Sequence, residues 1–432
     1  MPDQCKQQLN FLITTWEGGG SVGPMLTLAR KLRDAGHGVR VMSDACNRPE
    51  TEALGLRFVP WTRAPSRADR SRESEIIRDW AADNPLQGIG QVIEEVFAGR
   101  AYAYAQDVIE ELRREPADLV VTNDFLFGVM AGCESIGQPV AAMSCNIIVF
   151  PVDDAPIAGP GHDRPMSADE AEQAKAMVRA ARGAFDCGLP ALNTARALLG
   201  IPPLASLLDQ LAYARVTLVA ISKYFDMVRE PVPSGYRYVG PQLDEVAWTR
   251  DLTPPSVGQT KPLILVSFST TFQNHIGILQ RVIDGLASLP VDVVVTLGPT
   301  IAPDELRAAP NCHLLASVPH GPLTREASLV VTHGGHGTLA RAIMHDLPLL
   351  VVPLGRDQDG NAARVEAHGT GIMLSPTASA AQIHDAAMRL LSEPAFAAAA
   401  ARLGEAVRRE ADESDIVGEV ERLCCRAWSM AI

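Results

Sequence analysis

Hydrophobic residues along this chain come in short continuous runs, each closed by a turn and followed by a stretch with helical spacing. The run Leu9-Asn10-Phe11-Leu12-Ile13-Thr14 ends at Trp16-Glu17-Gly18-Gly19-Gly20-Ser21-Val22-Gly23-Pro24, which predicts a strand and then a glycine-rich turn. From there Met25, Leu28, Ala29 and Leu32 share one helical face as far as Gly36, and Val39-Arg40-Val41-Met42 resumes a strand. That is a βαβ unit. The theme returns in Asp118-Leu119-Val120-Val121, a helix around Phe125 to Ile136, and Pro139-Val140-Ala141-Ala142-Met143. Unbroken apolar strands of this kind predict a parallel sheet covered by helices on both faces.

A break follows where Pro231, Pro233, Pro241, Pro254 and Pro255 crowd together with Gly235, Gly240 and Gly258. It predicts a linker over 231–261 after a first domain spanning 1–230. The alternation then restarts with Leu263 to Phe268, Val291 to Val295, Leu329 to Thr332 and Leu349 to Val352, a second doubly wound sheet in a domain spanning 262–411. From Ala378 the chain is rich in Ala, Arg, Glu and Leu and reads as two or three helices. The last, 412–432, is placed to cross back onto the first domain. Between Pro151 and Arg182 a Pro/Gly/Asp-rich loop and an Ala/Glu-rich helix suggest a lid or a wall of a binding site.

Composition narrows the function. At 432 residues, two domains of roughly 200 residues each are expected. The chain is 47% apolar and 21% charged with a net charge of −13, as for a well-packed protein with no footprint for nucleic acid or anionic membrane. No run reaches the ~18 apolar residues that a bilayer requires, and Met1 to Gln8 is polar. A cytoplasmic location is expected. The eight cysteines show no repeated CxxC spacing, which fits free thiols, Cys424 and Cys425 included.

The chemistry concentrates in the second half. The strand ending at Thr332 runs into His333-Gly334-Gly335-His336-Gly337-Thr338, and a helical pattern begins at Leu339. A helix N-terminus presents free N–H groups and partial positive charge, so a phosphate is the natural occupant. Gly335 and Gly337 let the backbone approach it, and His333 and Thr338 can donate to its oxygens. The same turn also serves plain packing in many α/β proteins. Zinc on His333 and His336 lacks a third ligand at suitable spacing. After the next strand, Val352-Pro353-Leu354-Gly355-Arg356-Asp357-Gln358-Asp359-Gly360-Asn361 sets a carboxylate beside an amide, suited to adjacent sugar hydroxyls, at the strand end where open sheets bind ligands.

The run from Ser317 to Asn361 resembles the donor-binding signature of the family 1, GT-B-fold glycosyltransferases, in particular their bacterial macrolide and natural-product branch. The resemblance extends more weakly over nearly the whole chain. It implies two facing Rossmann-like α/β domains and inverting transfer of a hexose from a nucleotide-diphosphate sugar, with no metal or other cofactor. It places His333 and Thr338 on the diphosphate, Asp357 and Gln358 on the sugar, and Asn361 at the same rim. By the same resemblance the Val318 backbone pairs with the base, His320 lies near the ribose, and Ser269 and Thr270 touch donor phosphates. Two positions depart from the pattern: Ser317 replaces the aromatic that stacks on the base, and Arg341 replaces the Glu that binds both ribose hydroxyls. The second change suggests a deoxyribose nucleotide such as dTDP, with UDP kept as an option.

In the first half, Gly18 to Gly23 formally satisfies G-x-G-x-x-G with Asp44 closing the next strand, so an NAD-dependent dehydrogenase is a rival. In the glycosyltransferase reading this turn carries the acceptor's base, yet the family's His or Asp is here Ser21. Asp124, which matches the family's acidic partner of that His, is the first substitute and Glu17 the second; helix capping and a solvated loop charge are the plainer readings. Trp16, Phe125, Phe127, Met143 and Phe150 are candidates for a hydrophobic acceptor such as a polyketide, macrolide, terpenoid or flavonoid, or simply core. A monomer or weak dimer is expected. A non-catalytic helper and a sugar-nucleotide epimerase remain as alternatives.

Overall fold

The computed structural model describes residues 8–82, 85–148, 150, 159–160, 167–228, 230–244 and 260–425. Most of the loop that follows Pro151, the later part of the expected linker and the last seven residues lie outside these.

Thirteen described strands form two sheets. The first contains β1 (Asn10–Thr14), β2 (Gly38–Ser43), β3 (Arg57–Pro60), β4 (Leu119–Asn123), β5 (Val140–Ser144), β6 (Thr217–Val219) and β7 (Tyr236–Tyr238), in the order β3-β2-β1-β4-β5-β6-β7. The second contains β8 (Leu263–Ser267), β9 (Asp292–Thr296), β10 (Cys312–Leu315), β11 (Ala327–Thr332), β12 (Leu349–Val351) and β13 (Gly371–Met373), in the order β10-β9-β8-β11-β12-β13. Neighbouring strands are parallel throughout. Strand order therefore reverses between β1 and β4 and between β8 and β11, and each reversal opens a crevice at the carboxyl ends of those strands.

Strand Tyr236–Tyr238 falls inside the stretch read as linker. It is three residues long, follows Pro233 closely, and completes the edge of the first sheet by pairing with β6. Short edge strands beside proline leave little periodicity to read.

Helix Val22–Asp34 packs Met25, Leu28, Ala29 and Leu32 into one core of the first half. Ile416, Val420 and Leu423 of the terminal helix Ile416–Cys425 join that same cluster, and His37 meets Glu421 across the join at 3.0 Å. The halves are also tied by the buried pair of Arg364 and Asp226, at 2.7 Å, with Asp226 further accepting from the Ile148 N–H and the Tyr238 hydroxyl. Both crevices consequently face one cleft.

Candidate active site

The cleft is a cavity of about 920 Å³ lined by both halves, large enough for a sugar nucleotide and part of an acceptor. The loop after β1 supplies Trp16 to Pro24, the loop after β8 supplies Ser267 to Thr270, and the loop after β11 supplies His333 and Gly335 to Thr338. The two glycine-rich turns meet here. A Cβ placed on Gly19, whose φ is +82°, would lie 3.0 Å from Thr270 Oγ1.

The phosphate-type turn is built for close approach. Gly334 has φ of +93°, which favours glycine, and a Cβ on Gly335 would meet His333 Nε2 at 2.5 Å. Gly335 caps helix His336–Met344 without any side-chain partner for its first N–H groups, which leaves those donors facing the cavity. His333 stacks on Phe268 with centroids 6.0 Å apart, and burial drives its pKa down to about 3, so the imidazole is neutral. Thr338 Oγ1 lies 3.3 Å from the Ser267 hydroxyl.

The Asp357–Asn361 segment divides. Asp357 and Gln358 line the cavity; Asn361 does not. Asn361 is buried beneath them, where Nδ2 donates to Gly334 O and to Asp357 Oδ2, both at 2.9 Å. It couples the phosphate turn to the Asp357 carboxylate, so the rim contact expected of it is replaced by a positioning one. Gln358 is largely committed too: its Oε1 accepts from Leu354 N–H at 2.7 Å and its Nε2 donates to Gln273 at 2.9 Å. Gln273 in turn donates to Ser269 Oγ at 2.7 Å. Ser269 thus meets the cavity with its hydroxyl engaged, while Thr270 beside it is exposed. Val318 and His320 line the wall below, and burial, reinforced by Arg341, lowers His320 to about 4.

Arg356 was not anticipated. It sits in the left-handed region at φ 60° and spans the cleft, donating to both carboxylate oxygens of Asp79 at 2.7 and 3.0 Å and to Thr271 Oγ1 at 3.1 Å. A bidentate pair of this kind holds the first half against the sugar loop. Non-glycine residues seldom adopt positive φ, and nothing in the local sequence marks this one.

In the first half, several expectations are corrected. Asp124 is 1% exposed and does not line the cavity. Its carboxyl is pushed up to about 7 by burial, and its Oδ1 has no hydrogen-bond partner; it sits in the core behind the cavity wall. Ser21 does line the cleft, with its hydroxyl donating to Trp16 O at 3.1 Å. Glu17 lines it as well, but its carboxylate accepts from Gly19 N–H at 3.1 Å and from Arg70 Nε at 3.2 Å. Asp44 is buried, accepting from the N–H groups of Glu17 and Arg67, and is closed to a ribose. Gly18 has its own reason: a Cβ there would strike the Trp16 ring at 2.5 Å.

Of the acceptor candidates, Trp16 and Phe125 line the cavity and Phe127, Met143 and Phe150 do not. Phe127 and Met143 are core residues. Phe150 backs the wall edge-on to Phe125, at 5.0 Å. The wall itself is completed by Phe97, stacked on Phe125 at 4.6 Å, together with Ile77, Ile93 and Phe185. Among the described residues no three His, Cys, Asp or Glu side chains cluster as a metal site, and no helix is long and apolar enough to cross a membrane.

Comparison with known proteins agrees with this fold. Residues 280–423 match the family described as "Erythromycin biosynthesis protein CIII-like, C-terminal domain". The chain is 27% identical over 447 residues to 4'-demethylrebeccamycin synthase of Lentzea aerocolonigenes, covering 95% of this chain and 99% of that protein. Its fold is that of the kitacinnamycin glycotransferase (TM-score 0.73, 18% identity, 96% of this chain and 99% of that one). It also matches glycosyltransferase VinC, solved in complex with DTDP (TM-score 0.66, 21% identity, 97% and 100%). Residues 280–423 thus carry an EryCIII-like C-terminal domain, and the fold of the whole chain is that of GT-B glycosyltransferases.

Proposed function

We propose that this enzyme transfers a hexose, with inversion, from a nucleotide-diphosphate sugar to a hydroxyl of a hydrophobic natural product. The single observation that carries this reading is the meeting of two differently built walls in one cavity. One wall offers the free N–H groups of helix His336–Met344 with His333 and Thr338 beside them; the other is aromatic and aliphatic, from Trp16, Phe97 and Phe125. The first suits a diphosphate and stabilises it as it leaves. The second suits a flat or lipophilic acceptor. Asp357, braced by Asn361, is the hydrogen-bond acceptor available to sugar hydroxyls.

The donor favoured is a dTDP-sugar. At the position where a carboxylate would hold both ribose hydroxyls stands Arg341, whose Nη2 donates to Asp244 O at 2.9 Å, and a guanidinium accepts no hydrogen bond from a hydroxyl. The VinC complex with DTDP is consistent with this choice. Transfer needs no metal in this reading, since the helix N-terminus supplies the positive field, and a cytoplasmic site of action is proposed with it. The dehydrogenase alternative loses its anchor with Asp44 buried and bonded.

The test is transfer from dTDP-glucose and UDP-glucose to a panel of hydroxylated macrolides, flavonoids and polycyclic phenols. A glycoside of inverted anomeric configuration, formed faster from the dTDP donor, is expected. Epimerised free sugar without glycoside, or no consumption of either donor, contradicts the reading; a strong UDP preference contradicts only the choice of nucleotide.

A further inference from the structure

Arg356 stands next to Asp357, the carboxylate at the sugar end of the cleft, yet does not pair with it. It reaches across the cleft and donates to both carboxylate oxygens of Asp79, at 2.7 and 3.0 Å, on the short helix Asp79–Ala81 of the first half. A further bond goes to Thr271 Oγ1 at 3.1 Å. The backbone at Arg356, with φ of 60°, is one that non-glycine residues keep only where the surroundings impose it. Asp357, half-buried and lining the cavity, is engaged on one side only. Its Oδ2 accepts from Asn361 Nδ2 at 2.9 Å, while no described side chain donates to Oδ1. The pair beside it is open to the cavity too, the Arg356 side chain being 23% exposed and that of Asp79 14%.

Adjacent Arg and Asp side chains can pair with one another, as Arg33 and Asp34 of this chain do. Arg356 and Asp357 are near enough to interact: burial raises the Asp357 carboxyl above its usual range, and the Arg356 charge is among the causes that oppose this. The other carboxylate close to Arg356 is Glu75, which is taken by Arg67 at 3.3 Å and by the Phe272 N–H at 3.5 Å. Without Asp79, the guanidinium would find its open partner in Asp357, and a carboxylate bound by arginine has fewer lone pairs left for hydroxyls. We propose that Asp79 is a positioning residue for donor recognition: by drawing Arg356 across the cleft, it keeps Oδ1 of Asp357 free for a sugar hydroxyl. Asp357 meets the sugar in the reading given above, on which this role depends. Sugar recognition is thereby shared, because a carboxylate of the first half sets the state of one in the second. The nucleotide end is left alone, since none of the Arg356 bonds involves the His333–Thr338 turn.

The experiment compares wild type with Asp79→Ala, Asp79→Glu and the double variant Asp79→Ala/Arg356→Ala. It uses whichever of dTDP-glucose and UDP-glucose is the better donor and a panel acceptor that the wild type glycosylates. In Asp79→Ala the KM for the sugar donor is expected to rise at least ~10-fold, the worth of one charge-assisted hydrogen bond. Calorimetric affinity for the nucleoside diphosphate alone should stay within about threefold, which reports an intact nucleotide site. Removing Arg356 as well should lower the KM again by about fivefold or more, since nothing is left to occupy Asp357. Asp79→Glu, which keeps a carboxylate for Arg356, should raise it less than about threefold. A plain strut between the halves would leave the double variant no better than Asp79→Ala. That result overturns the assignment, as does an unchanged KM in Asp79→Ala or an equal loss of nucleoside diphosphate affinity, while the transferase reading stands. A wild type that glycosylates no panel member overturns that reading and this role with it.

Discussion

Gly335→Ala is expected to weaken dTDP binding at least ~100-fold while the protein stays folded. The reason is contact and not backbone strain: Gly335 has φ −67° and ψ 144°, which alanine adopts freely. The added methyl, however, would fall 2.5 Å from His333 Nε2 and 2.6 Å from Cε1. His333 cannot simply turn aside, since it stacks on Phe268 and lies 3.4 Å from Thr332 Oγ1 through Nδ1. Either the ring leaves the cavity wall or the helix start moves, and both displace the donors that face the diphosphate. Losing two or more charge-assisted hydrogen bonds at about 1.5 kcal/mol or more each is worth on the order of 3 kcal/mol, hence the ~100-fold. Titration calorimetry with a melting curve checks it; near-normal affinity in a folded variant contradicts it.

Asp124→Asn is expected to raise stability in a pH-dependent way and to leave turnover within about threefold. Burial holds the Asp124 carboxyl at about 7 in the folded protein, against ~3.9 in the unfolded chain. Between these values the folded state keeps a proton that the unfolded state has lost, so wild-type stability falls as pH rises through the window and is level above it. Asparagine escapes that loss. Its advantage should therefore be small near pH 5 and larger by about 3 kcal/mol near pH 8, since each pH unit crossed inside the window costs the wild type about 1.4 kcal/mol. Urea midpoints at the two pH values read the difference. A pH-independent difference contradicts the burial argument, and a ~100-fold loss of turnover returns Asp124 to the chemistry.

What could be read from the chain and what could not follows the distance over which each feature is built. The turn from His333 to Thr338 and the segment from Asp357 to Asn361 are local strand–turn–helix units, each at the end of a buried apolar run, so spacing and residue type locate them. Asn361 needed more, because facing Asp357 and Gly334 rather than the cavity depends on how helix Gln358–Ala367 docks. Phe127 and Met143 were open to two readings for a related reason: strands and helices covered on both faces carry no polar side to show which residues face a ligand. Asp124, at a strand end of the crevice, looked available until burial showed otherwise. Arg356 and its pairing with Asp79 join positions 277 apart, a contact that no local pattern announces.

The central claim is that the cleft binds a nucleoside diphosphate through the His333–Thr338 turn, and calorimetric titration of the wild type and Gly335→Ala with dTDP, UDP and NAD tests it most directly. The account predicts micromolar binding of dTDP by the wild type, weaker binding of UDP, no heat with NAD, and loss of the dTDP signal in the variant. Binding of NAD, or dTDP binding that Gly335→Ala leaves intact, would contradict it.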